Sequence, residues 1–89
     1  MKAIVTVTGK DKKGIIAKVS AFLASKGANI EDISQTVMGE YFAMIMMVEA
    51  GDSDSELAAL AKECSEMGKT IGMDIHMQHE DIFKAMHNV

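Results

Sequence analysis

The 89-residue chain has no proline, no tryptophan, one cysteine and only four aromatic side chains, Tyr41 and three phenylalanines. Each shortage excludes something. A lone cysteine, Cys64, can make neither an internal disulfide nor a multi-cysteine zinc site, which fits a reducing compartment. With so few aromatics, the strands lack the platforms on which RNA-binding sheets stack bases. Nine basic against thirteen acidic residues leave a net charge of -4 and no basic stripe, so nucleic acid is not an expected partner. No apolar run approaches the length of about eighteen residues that crosses a bilayer. Met1-Lys2-Ala3-Ile4 leads into a strand pattern rather than a secretory profile. The expectation is a soluble cytoplasmic protein with no membrane partner.

Hydrophobic residues at 48% and charged residues at 25% are ordinary values for a folded chain. The length suits a single domain over residues 1–89, able to bury about two-thirds of its unfolded surface around one modest core. Nine methionines stand out against the scarcity of aromatics, so that core is expected to be filled by flexible thioethers.

Patterning predicts six main elements. Ala3 to Thr8 is β-branched on both faces and reads as a central strand ending at Gly9. Ile15, Ile16, Val19, Phe22 and Leu23 repeat at helical period up to a Gly27 cap. Asn29–Met38 and Tyr41–Val48 form a hairpin across Gly39-Glu40. Ser53 and Glu56 have capping-box spacing, followed by a stripe of Leu57, Leu60, Ala61, Cys64 and Met67 that runs to Gly68. Ile71, Met73, Ile75 and Met77 alternate as a half-buried strand. A short tail, Asp81 to Val89, can add a helix with Ile82, Phe83 and Met86 on one side. The order βαββαβ implies the α+β, ferredoxin-like class: a four-stranded antiparallel sheet, two helices on one face, the other face uncovered by helices.

That architecture hosts unrelated functions, so chemistry must be sought in particular residues. No acid, base and nucleophile converge at spacings a helix or strand would bring together, and no enzyme is expected. Cys64 falls on an apolar helical stripe and reads as a core thiol. His76, His79 and His87 lack diagnostic metal-site spacing and read as solvated histidines, with an incidental surface metal site as the alternative; no cofactor is implied. Met44 and Met46 share one strand face with Phe42 and Val48, and Met47 the other with Ala43 and Ile45. Both faces are therefore apolar, and the open one calls for a cover, which a symmetric dimer most commonly supplies.

The stretch from Gly9 to Ile16 carries the most information. Backbone N–H groups at a helix start point outward and, with the helix dipole, favour a carboxylate. Gly14 permits close approach, Lys10, Lys12 and Lys13 add positive charge, and Asp11 can take an ammonium group or cap the helix. An ordinary solvated loop capped by Asp11 explains the same residues equally well.

The run Val7-Thr8-Gly9-Lys10-Asp11-Lys12-Lys13-Gly14-Ile15-Ile16, followed by Leu23, Gly27, Asn29 and Ile30, resembles the opening of an ACT domain. That family repeats a D-x-P-G-[LIV] turn and a G-x-N-I element, and here Lys13 stands at the proline position. Asp32 to Met38 resembles the small stand-alone members from bacteria and archaea, whose function is uncharacterised. The opening is also similar to glycine cleavage repressors and to the N-terminal modules of formyltetrahydrofolate deformylases. The resemblance implies a regulatory module that binds a small amino acid or related metabolite, pairs into a dimer or larger assembly, and signals to a partner protein. By position it implies ligand contacts at Asp11, Gly14, Ile15, Asn29 and Ile30. The alternative from another class is a dimeric interaction module without a ligand.

Overall fold

A run of β-branched residues forms β1 (Lys2–Gly9), hydrogen-bonded on one side to β3 (Tyr41–Glu49) and on the other to β4 (Asp74–His79). The edge beyond β3 belongs to β2 (Asn29–Met38), so the order is β2-β3-β1-β4, all antiparallel. The computed structural model describes residues 1–10 and 13–87. Gly39 at φ 61° turns β2 into β3, with Glu40 on the negative side, as in hairpins that take glycine first.

Two helices cross between these strands, α1 (Ile15–Ser25) and α2 (Asp54–Thr70). They bury Ile15, Val19 and Leu23, and Leu57, Leu60 and Cys64, against one sheet face made by Ala3, Val5 and Val7 with Phe42, Met44, Met46, Val48, Ile75 and Met77. Met44 and Met46 are fully enclosed there while Met47 lies on the opposite face, as strand alternation requires. The ferredoxin-like expectation holds.

Three readings are corrected. Gly68 does not end α2, which runs on to Thr70. A Cβ at Gly68 would stand 2.8 Å from the Met73 carbonyl and from Ile75, so glycine there allows close approach of helix to strand. The last strand starts at Asp74 rather than Ile71, because Ile71 caps α2 and Gly72, at φ 72°, reverses the chain. Nor is the second sheet face free of helices. α3 (Glu80–His87) packs against β1 and β4, and Gln78 Nε2 reaches Met86 Sδ at 3.4 Å. Gln78 is in register with Ile4, which faces away from α1 and α2 yet is only 6% exposed. α3 therefore covers that corner and leaves Tyr41 and Ile45 open.

Candidate functional site

The connection from β1 into α1 is built around Gly14, whose φ of 73° and ψ of 0° are left-handed and suit glycine. Its carbonyl accepts the first helical bond, from Lys18 N at 3.0 Å, and it has no side chain to accept from the N–H groups that follow. The first turn of α1 holds no acidic residue. Among the described residues, a Cβ built on Gly14 meets nothing within 4 Å. Ile15 turns its side chain into the core and can offer a ligand only its backbone. Lys10, Lys13 and Lys18 are exposed around this end, with the Lys10 ammonium 5.9 Å from the Tyr41 ring centre. The expected contact Asp11 lies outside the described residues, as does Lys12.

Asn29 and Ile30 sit elsewhere. α1 closes with Ala28 N bonded to Leu23 O at 2.9 Å and Gly27 N to Ala24 O at 3.1 Å, a Schellman ending, and β2 begins at once. Asn29 is exposed opposite Glu49; Ile30 is half-buried opposite Val48. The 11 residues of α1 separate the two groups by about 16 Å. One chain does not bring Gly14 and Ile15 together with Asn29 and Ile30. Between them runs β2, an edge strand exposed along nearly its whole length, with a register shift between Ile30 and Asp32 and with Ile33 and Val37 exposed at 40% and 48%. Beside Asn29 lies a hollow of about 320 Å³ lined by polar residues including Lys26, Glu49, Asp52 and Glu56.

The other candidates stay apart. Cys64 is enclosed, and burial, with some help from the charge of Glu63, pushes its thiol up to about 11, the reverse of an activated nucleophile. His76 lies 3.0 Å from Asp74 on the open face, whereas His79 Nδ1 accepts the Asp81 N–H at 3.0 Å. The side chain of His87 is outside the described set. Among the described residues no three His, Cys, Asp or Glu side chains converge for a metal. No described helix is long and apolar enough to cross a membrane.

One feature has no counterpart in the sequence reading: a cleft of about 500 Å³ joining α2, the end of β4 and the start of α3, with Leu57, Ala58, Met77 and Ile82 in its walls. It brings together two stretches far apart in the chain, 54–61 and 77–82, and the local signal for it is the apolar side of α3.

Residues 2–78 match the family model described as ACT domain. The chain is 47% identical over 88 residues to a UPF0237 protein of Methanopyrus kandleri, covering 99% of this chain and 98% of that one. It is similar in structure to an ACT domain protein from Streptococcus pneumoniae, with a TM-score of 0.84, 46% identity and 98% of each chain covered. A putative glycine cleavage system transcriptional repressor matches with a TM-score of 0.72 at 22% identity, over 86% of this chain and 44% of that one, a likeness of fold alone.

Proposed function

Starting from a chain that belongs to the ACT-domain family, whose domains typically serve regulatory ligand binding, we propose a cytoplasmic single-domain amino-acid sensor that works as a homodimer. The ligand is a small amino acid or related metabolite. Its carboxylate lies on the N–H groups after Gly14, and Asn29 reads its polar end with both a donor and an acceptor.

The carrying observation is the exposed β2 edge together with a start of α1 that begins on Gly14 and has no acid in its first turn. An unpaired strand edge is a template for a second copy. Gly9 and Val37 both pair with Phe42, so β2 ends at the level where α1 starts. Antiparallel pairing of β2 with β2 about a twofold axis inverts one copy. Asn29 and Ile30 of the second copy then stand level with Gly14 and Ile15 of the first. Two half-sites about 16 Å apart in one chain thus become two whole sites at the interface. Charge supports the same arrangement, because Glu31 and Asp32 near the start of β2 would meet the Lys13 and Lys18 end of the other copy. Ligand binding would then tighten the pair and alter the surface presented to a regulated protein.

Calorimetric titration of the folded protein against the twenty amino acids, beside sedimentation analysis, tests the reading. We expect heat with at least one amino acid, lost in Asn29→Ala, and a dimer that tightens with that ligand. Silent titrations of an intact dimer would sink the sensor and leave an interaction module.

A further inference from the structure

We propose that the cleft between α2, β4 and α3 is a second binding site, for a small apolar molecule carrying a protonated amine. At about 500 Å³ the cleft is of the size that holds small ligands. Leu57 and Ala58 from α2, Met77 from β4 and Ile82 from α3 give it apolar walls, with Gln78 and His79 adding polar groups at the end of β4. Asp54 and Asp81 bring carboxylates to the same cleft, Asp81 with His79 Nδ1 3.8 Å away, and no lysine or arginine lines it among the described residues. An apolar floor with acidic groups at its margin is complementary to a short hydrocarbon with an ammonium end, and repels a carboxylate.

The wall supplied by α3 is itself informative. The ACT family match ends at residue 78, whereas α3 spans Glu80–His87, and the Methanopyrus kandleri relative aligns across 99% of the chain. α3 thus lies beyond the residues the family model matches and within the stretch that this relative aligns. Ile82 on that segment is 55% exposed, so the fold itself draws little from burying it. A turn pinned by the Asp81 N–H to His79 Nδ1 bond, and an i,i+4 pair of Lys84 with Glu80 at 2.9 Å, hold the wall in place. The cleft borders β4, the edge opposite β2, so a dimer through β2 leaves it accessible. The site stands whether or not the amino-acid reading does.

Methyl NMR of the full chain titrated with 3-methylbutylamine, and in parallel with the equally branched 4-methylpentanoate, tests the proposal. The amine should produce saturable shifts at the Ala58, Met77 and Ile82 methyls, and the acid none. Asp54→Asn and Asp81→Asn should each weaken the amine by about threefold. Ala58→Trp, at an exposed position, should fill the cleft and abolish the shifts while the thermal melt stays unchanged. Ile82→Ser provides a second, smaller lesion with the same expected direction. Equal responses to amine and acid, absence of saturable shifts, or binding that survives Ala58→Trp would overturn it.

Discussion

α1 and α2 lie on the same sheet face and end alike, but they begin differently. Both close in a Schellman motif, Ala28 N to Leu23 O in α1 and Met73 N to Gly68 O at 2.9 Å in α2, with Gly27 and Gly72 supplying the left-handed turn. At its start α2 satisfies itself: Ser53 Oγ accepts from Glu56 N at 3.2 Å, and Glu56 Oε2 accepts from Asp52 N at 2.8 Å. Acidic Asp54 and Glu56 meet its dipole. α1 starts on a glycine with lysines around it and no acid in its first turn. Folding closes three of these four helix ends with groups from nearby in the chain. The fourth has no side-chain cap among the described residues, which suits an external carboxylate.

Breaking the anchor of α1 should have the largest effect. Leu23→Ala, at a fully buried position, is expected to cost about 3 kcal/mol by urea denaturation and to abolish any amino-acid response with it. Gly14→Ala, which strains a φ of 73°, and Ser53→Ala, which removes a cap, should each cost about 1 kcal/mol. Only Gly14→Ala should also weaken the amino acid in calorimetry, and equal losses from both would mean that the two helix starts do not differ in ligand binding. The dry side of α2 is probed by pH. Because burial lifts the Cys64 thiol from 9.0 to about 11, the unfolded chain ionises first, so stability is complete below pH 9 and falls between pH 9 and 11. Cys64→Ala should flatten that part of the curve. The smallest effect on the fold belongs to Ile33→Lys with Val37→Lys, exposed edge positions expected to change monomer stability by about 0.5 kcal/mol or less. The same pair should shift sedimentation from dimer to monomer.

What could be read from the sequence was whatever neighbours in the chain decide. β-branched runs, the period of Val19, Phe22 and Leu23, the Ser53–Glu56 spacing and the Gly39 turn all act over a few residues, and each appears where expected. Gly68 misled because a glycine that admits Ile75 looks the same in sequence as one that stops a helix. Ile71 prolonged the apparent alternation of β4 while belonging to the end of α2. The seat of α3 over Ile4 depends on tertiary packing alone. For the site, residue types around Gly14 and Asn29 were legible. Their separation followed from the length of α1, and their reunion requires a second chain, which no single sequence encodes as a local pattern.

The methionines also set how this protein meets an oxidant. Thioether sulfur takes up oxygen where peroxide can reach it, and the product is polar. Met44 and Met46, enclosed under α1 and α2, are shielded, while Met38 is 71% exposed at the far end of β2. Peroxide should convert Met38 to sulfoxide well before the interior, placing a polar group on the edge where two copies would join.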